Sequence, residues 1–149
     1  MAESYALDSN VYIRALRDRE RLARVKRFLI RMGLRVHVNA VVALELQAVA
    51  RTTAHARAVS DLVASYVQRD RVIVPSFEAY SQGGRVLATL AAREGIDVSR
   101  AGSLVNDVII ATSCREAGVT LVTENVEHFA SVQRYLRAFR FASADQMIT

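Results

Sequence analysis

Residues 103–129 read SLVNDVIIATSCREAGVTLVTENVEHF, and they predict a helix, a strand and a turn in that order. Ser103 is placed to cap a helix over 104–117, and Gly118 closes that helix because glycine adopts left-handed conformations without strain. The apolar run 119–123 then predicts a buried strand. Helices that alternate with short apolar strands are typical of parallel sheets.

The same alternation extends toward both ends of the chain. Further strands are predicted at 5–7, 36–38, 72–74 and 139–142. Further helices are predicted at 10–18, 20–32, 40–52 with Asn39 as cap, 54–69, 76–95 with Gly83-Gly84 as a candidate break, and 126–138. The pattern predicts one α/β domain over residues 1–149, with a parallel sheet of about five strands flanked by helices in a Rossmann-like three-layer sandwich.

Composition excludes several classes of protein. The chain has 149 residues, 52% of them hydrophobic and 23% charged, with one cysteine, which excludes disordered, collagen-like and low-complexity proteins. Cys114 lacks a partner for a disulfide or a metal, so we expect a small core residue. No apolar run reaches the roughly 18 to 20 residues that span a bilayer, and the N-terminus lacks a signal-peptide pattern. We therefore expect a soluble, cytoplasmic protein without a membrane partner.

The net charge is +5, and 19 of the 20 basic residues are arginine. Arginine binds phosphate with two parallel hydrogen bonds and stacks on bases, so this composition favours a nucleic-acid partner. A GC-rich genome produces the same bias through codon usage. The placement of the acidic residues is therefore more informative than the total charge.

Three acidic residues stand in apolar surroundings. Asp8 directly follows the strand at 5–7, where it also suits the cap of the next helix. Glu45 lies within an apparent apolar stripe of Val41, Leu44, Ala48 and Val49, and Asp107 lies in the first turn of an apolar helix. A carboxylate that faces a core must be paired, protonated or bound to a cation.

The segment 121–129 brings Thr123, Glu124, Asn125 and Glu127 to the end of the strand at 119–123. Ligands of open parallel sheets bind beyond the carboxyl ends of the strands, so these side chains and Asp8 are expected at one edge. Acids gathered there repel each other unless a cation lies among them. Hard oxygen ligands favour Mg²⁺ or Mn²⁺.

Four segments together resemble the sequence blocks of PIN-domain ribonucleases: LDSNVYI at 7–13, the apolar helix with Glu45, NDVIIATS at 106–113 and LVTENVEHF at 121–129. Their order and the chain length are similar to those of VapC toxins of type II toxin–antitoxin pairs. The resemblance implies an Mg²⁺- or Mn²⁺-dependent endoribonuclease, an RNA substrate, an antitoxin partner and a homodimer. It implies hydrolysis of RNA phosphodiester bonds to products with 5′-phosphate and 3′-hydroxyl ends.

The resemblance also assigns the site residues. It assigns the metal to Asp8, Glu45 and Asp107, adds Asn125 to the catalytic set, and gives supporting roles to Asn10, Asn106 and Thr123. Arg14 follows Asp8 by one to two helical turns and is expected to contact a neighbouring phosphate.

The chain departs from the family pattern at two positions where acids are usual, which here hold Asn125 and His128. Glu124 or Glu127 is a candidate substitute for the missing acid. The alternative function is therefore a catalytically impaired PIN-like module that binds RNA or protein. The three histidines share no metal-ligand spacing, so surface or strand-end positions are expected for them. A phosphatase or receiver domain fits poorly, because position 10 is Asn and Lys26 is the only lysine.

Overall fold

The computed structural model describes residues 2–149 as one α/β domain. Its strands are β1 (Tyr5–Leu7), β2 (Val36–Asn39), β3 (Val72–Ile73), β4 (Thr120–Thr123) and β5 (Phe141–Ser143). The α-helices of the same residues are α1 (Ser9–Arg17), α2 (Arg19–Met32), α3 (Ala40–Val49), α4 (Thr53–Gln68), α5 (Phe77–Glu94), α6 (Gly102–Ala117), α7 (Val126–Gln133) and α8 (Ala144–Met147). Two short 3-10 turns lie at Gly33–Arg35 and Val98–Arg100.

The strands form one parallel sheet in the order β3-β2-β1-β4-β5. In the central strand β1, Tyr5 pairs with Val36 of β2 on one side and with Thr120 of β4 on the other. All three residues of β1 are buried, as expected for a strand whose two faces are both covered. The predicted fold class, a parallel sheet of about five strands flanked by helices, is confirmed.

Local side-chain chemistry sets several helix starts. The Asn39 side chain accepts a hydrogen bond from the Val41 N–H at 3.0 Å, and Ser76 Oγ accepts one from the Ala79 N–H at 3.1 Å. These bonds satisfy backbone donors that no helix can pair internally, and the predicted cap at Asn39 is confirmed. The predicted cap at Ser103 is wrong, because α6 begins at Gly102 and no side chain caps it.

Two helices end at least three residues earlier than the sequence predicts. Helix α3 ends at Val49 rather than 52, and α7 ends at Gln133 rather than 138. The chain after α7 turns through Ala138, at φ 69°, to pack Phe139 against Phe129 with ring centroids 6.0 Å apart. This aromatic packing outweighs continued helix formation. The short helix α8 was not predicted.

The expected break at Gly83-Gly84 is wrong, because α5 runs unbroken through both glycines. A Cβ built on Gly83 would lie 2.6 Å from Ile109 Cδ1 of α6, whereas one on Gly84 would meet nothing within 4 Å. Gly83 therefore leaves space for the Ile109 side chain where α5 packs against α6, and it does not mark a turn.

The core lies on both sides of β1 and β4. Ala6, Leu7, Leu121 and Val122 are fully buried, and Cys114 is buried among them as predicted. Burial raises the pKa of the Cys114 thiol to about 12, which leaves it an unreactive apolar group at neutral pH. Among residues 2–149, no helix has the length and apolar character needed to cross a membrane.

The two glycines of α5 provide a matched pair for testing this packing. Gly83→Leu is expected to lower the free energy of unfolding by about 1–3 kcal/mol, because the new side chain must push α5 away from α6. Gly84→Leu is expected to raise it by roughly 0.5–1 kcal/mol through helix propensity at an exposed position. Urea denaturation of both variants and the wild type measures the difference, and equal stabilities of the two variants would contradict the packing role.

Candidate active site

The site lies where the strand order of the sheet reverses. From β1 the chain proceeds to β2 and β3 on one side, and it later returns to place β4 and β5 on the other. Such a reversal leaves a crevice at the carboxyl ends of the two diverging strands, which is the usual ligand site of open α/β sheets. Asp8 immediately follows β1, and Thr123 is the last residue of β4.

Asp8 caps a helix and also presents its carboxylate to the crevice. Its Oδ1 accepts a hydrogen bond from the Ser9 N–H at 2.8 Å, so it caps α1, and its Oδ2 accepts one from Thr123 Oγ1 at 2.8 Å. Only 3% of the residue is exposed. Burial raises the pKa of Asp8, and the two hydrogen bonds offset part of that rise. The cap therefore holds this carboxylate in the crevice.

Glu45 enters the crevice from α3. Asn106 Nδ2 donates to Glu45 Oε2 at 3.5 Å, whereas Glu45 Oε1 is buried and has no hydrogen-bond partner. Burial raises the pKa of Glu45, the neighbouring hydroxyl of Ser9 offsets part of the rise, and the charge of Asp8 adds to it. A buried acceptor without a donor is costly unless a cation or water satisfies it.

The sequence prediction for the surroundings of Glu45 was partly wrong. Leu44 and Val49 are 59% and 43% exposed, so they do not form the buried stripe of α3. The buried residues of that helix are Val41, Val42, Ala43 and Leu46. Glu45 stands at the border of this buried face, which directs its carboxylate toward the crevice rather than into the core.

Asp107 completes the acidic group from the N-terminal part of α6. Its side chain is 15% exposed. Burial, followed by the charges of Asp8 and Glu45, raises the pKa of Asp107 to about 8. The three carboxylates therefore interact electrostatically, although 37 and 62 residues of chain separate them (45 − 8 and 107 − 45).

His128 contacts this group, contrary to the expectation of a surface or strand-end position. Its Nδ1 lies 2.8 Å from Asp107 Oδ2 and 3.0 Å from Asn125 Nδ2. A ring nitrogen has one in-plane site for a proton or a lone pair, so Nδ1 can serve only one of these partners at a time. Of the two residues that depart from the family pattern, His128 contacts Asp107 and Asn125 contacts His128.

The residues present fit a divalent cation by their chemistry. The carboxylates of Asp8, Glu45 and Asp107 are hard oxygen donors, and the buried Glu45 Oε1 has a free lone pair. Within the described part of the chain, no three His, Cys, Asp or Glu side chains stand in metal-holding geometry. Like-charge repulsion opposes closer approach of bare carboxylates, so a cation would have to draw these side chains together.

The rim of the crevice is formed by the start of α1 and the loop after β4. Asn10 Nδ2 donates to Thr123 Oγ1 at 3.4 Å, and Asn10 Oδ1 accepts from the Glu124 N–H at 3.4 Å. The Arg14 side chain is 51% exposed and bonds Glu124. Glu127 is exposed.

All the residues predicted for the site lie in or beside the crevice, and they are Asp8, Asn10, Arg14, Glu45, Asn106, Asp107, Thr123 and Asn125. Sequence reasoning missed the contacts of Ser9, Arg21 and His128. The contact of His128 could have been predicted, because His128 stands at a position where the family pattern has an acid. The contact of Arg21 with the site could not be predicted from sequence, because Arg21 is one of six arginines in residues 14–27.

The raised pKa of Asp107 makes stability depend on pH. In the folded state Asp107 holds its proton up to about pH 8, whereas the unfolded chain releases it near the ordinary value of about 4. Stability is therefore expected to fall as pH rises through this window. Asp107→Asn removes this residue's share of the dependence and should be more stable than the wild type at pH 8 by roughly 1 kcal/mol or more, or about 2–4 °C in Tm.

Thermal melting between pH 5 and pH 8 in EDTA measures this difference, with the exposed Asp61→Asn of α4 as control. A constant difference in Tm between the wild type and Asp107→Asn across that range would contradict the raised pKa.

Several solved structures are similar to this chain. A DNA-bound VapBC structure from Salmonella typhimurium has a chain that is 20% identical, with 95% of this chain and 98% of that chain covered and a TM-score of 0.69. VapBC-1 from nontypeable Haemophilus influenzae is 20% identical over 93% and 96% of the two chains, with a TM-score of 0.65. FitAcB from Neisseria gonorrhoeae is 18% identical over 87% and 93%, with a TM-score of 0.63.

These likenesses show a shared fold. No curated protein matched the chain. A family model described as PIN domain matches residues 5–135, which include all three carboxylates of the crevice. The match covers most of the 149 residues, and the chain therefore belongs to the PIN domain family.

Proposed function

We propose that this protein is an Mg²⁺- or Mn²⁺-dependent endoribonuclease and the toxin of a toxin–antitoxin pair. The observation that carries the proposal is the crevice itself, where burial raises the pKa of Asp8, Glu45 and Asp107. The charge of Asp8 adds to the rise in the pKa of Glu45, and the charges of both add to the rise in that of Asp107. Acids placed at such cost are expected to have a cationic partner. Membership of the PIN domain family supports nuclease chemistry.

The chain's own residues would position the reacting groups. The Thr123 hydroxyl and the Ser9 N–H fix both oxygens of Asp8, and Asn106 orients Glu45. A bound Mg²⁺ or Mn²⁺ would activate a water and stabilise charge on an RNA phosphodiester. Asp8, Glu45 and Asp107 would hold the cation, and Asn125 would bring a neutral amide to the same edge.

An antitoxin partner is supported by the solved structures that share this fold, because two of them are VapBC and VapBC-1 structures. Helices α1 to α4 enclose an apolar cleft of about 260 Å³, whose lining includes Tyr12, Leu16, Leu29, Leu46 and Leu62. We propose that the apolar face of an antitoxin segment occupies this cleft. A homodimer, a cytoplasmic location and a single nuclease domain over residues 1–149 complete the proposal.

The second candidate function is an RNA- or protein-binding module without catalysis. It is favoured by the His128 contact that occupies Asp107 and by the neutral Asn125. It is opposed by the cost of keeping Asp8, Glu45 and Asp107 together without a cation. Cleavage assays separate the two functions.

The first cleavage test replaces a proposed metal ligand. Asp107→Asn keeps the shape of the side chain but removes its charge, so cleavage of single-stranded RNA is expected to fall at least about 100-fold. Growth inhibition on expression should disappear with it. The measurement is cleavage of labelled RNA across an Mg²⁺ and Mn²⁺ titration, with EDTA and Asp61→Asn as controls.

Equal cutting by wild type and Asp107→Asn would reject the proposed site. Wild-type protein that binds a panel of single-stranded, tRNA and ribosomal RNA substrates but cuts none of them with any divalent metal would reject the nuclease.

The second cleavage test restores an acid beside His128. Asn125→Asp adds a negative charge at the edge of the crevice, so the Mn²⁺ concentration for half-maximal cleavage is expected to fall about tenfold. Asn125→Ser serves as the neutral control. An unchanged Mn²⁺ concentration for half-maximal cleavage would show that residue 125 does not affect metal binding.

A further inference from the structure

A pair of arginines meets on one carboxylate at the rim of the crevice. Arg14 of α1 and Arg21 of α2 place their Nη1 atoms 2.9 and 2.7 Å from the same oxygen, Glu124 Oε1. The side chains of Arg14, Arg21 and Glu124 are 51%, 32% and 12% exposed. The carboxylate is therefore largely covered, while both guanidinium groups reach solvent.

Hydrogen bonds connect this pair to the crevice. Asn10 accepts from the Glu124 N–H and donates to Thr123 Oγ1, which in turn donates to Asp8 Oδ2. Glu124 is also the residue that follows β4 directly. The arginine pair and the carboxylates of the crevice are thus parts of one continuous edge.

The guanidinium donors of the cluster outnumber the oxygens that accept from them. Two guanidinium groups share one carboxylate, and each of them carries five N–H donors, most of which Glu124 cannot reach. Both arginines use Oε1, while Glu124 Oε2 is buried without a hydrogen-bond partner. Arg21 Nε also lies 3.8 Å from Oδ2 of the half-exposed Asp18, so the charges of the cluster balance. The arrangement nevertheless orients two guanidinium groups side by side and leaves their outer N–H donors for an external anion.

We propose that Arg14 and Arg21, oriented by Glu124, bind a second phosphodiester of the RNA strand whose neighbouring phosphate lies at the crevice. This inference rests on the proposed function and adds Arg21 as a binding residue and Glu124 as a positioning residue. Paired guanidinium groups match the geometry of phosphate oxygens. The contact is to the backbone, so it fixes the position of the strand without reading bases.

The other arginines of residues 14–27 lack this arrangement. Arg24 pairs with Glu20 one helical turn away on α2, at an exposed position. Such a pair is a common feature of solvated helix faces. The three-residue contact at Glu124 therefore distinguishes Arg14 and Arg21 from their neighbours.

The test measures RNA binding separately from cleavage. The parent protein is Asp107→Asn, and its binding to a fluorescently labelled single-stranded RNA is followed by anisotropy in EDTA over a range of salt concentrations. Arg21→Ala in this parent is expected to weaken binding about tenfold. It should also reduce the slope of log affinity against log salt by about 0.7 per lost phosphate contact.

Matched variants identify the cause of any loss of RNA affinity. Arg57→Ala removes the same charge from the exposed surface of α4 and should leave the slope nearly unchanged. Arg21→Lys should restore only part of the affinity, because lysine keeps the charge but loses the planar fork. Glu124→Gln should bind more weakly despite its higher positive charge, since the arginines lose their common partner. Melting temperatures confirm that each variant is folded.

An Arg21→Ala slope equal to that of the parent would overturn the phosphate subsite. Tighter binding by Glu124→Gln would overturn the positioning role of Glu124. A parent protein that binds no RNA would overturn the proposed function together with the subsite, so the two failures can be distinguished.

Discussion

The repulsion among Asp8, Glu45 and Asp107 is the constraint on which the rest of the site depends. Each carboxylate reaches the crevice from a different element, and each is at least partly removed from water. With its pKa near 8, Asp107 retains a proton at neutral pH unless a cation replaces it. A divalent cation would offset the free-energy cost of burial and repulsion by bonding directly to the carboxylates. The fold around the crevice must therefore be stable enough to hold an unfavourable arrangement.

Stability and function coincide at Asp8. The same carboxylate that caps α1 through the Ser9 N–H also accepts the Thr123 hydroxyl across the sheet. A helix cap and a metal ligand are often treated as alternatives for an aspartate after a strand. In this crevice the cap fixes the orientation that a ligand needs, because it leaves little rotational freedom to a nearly buried side chain.

The fold and much of the site could be predicted from sequence where the determining interactions are local. Tyr5–Leu7, the Asn39 cap and the Gly118 helix end follow from a few adjacent residues. The role of Gly83 could not be predicted, because only the approach of Ile109 from another helix distinguishes it from Gly84.

Glu45 and His128 show the same limit within the site. Glu45 was correctly placed near the other acids, although the apolar stripe used as evidence was not the buried one. The contact of His128 with Asp107 depends on how α7 packs against α6, which no local pattern specifies. Crystals soaked with Mn²⁺ and measured for anomalous scattering test the central claim most directly. The account predicts a single strong peak between Asp8, Glu45 and Asp107, and no peak there at saturating Mn²⁺, or a peak elsewhere, would contradict it.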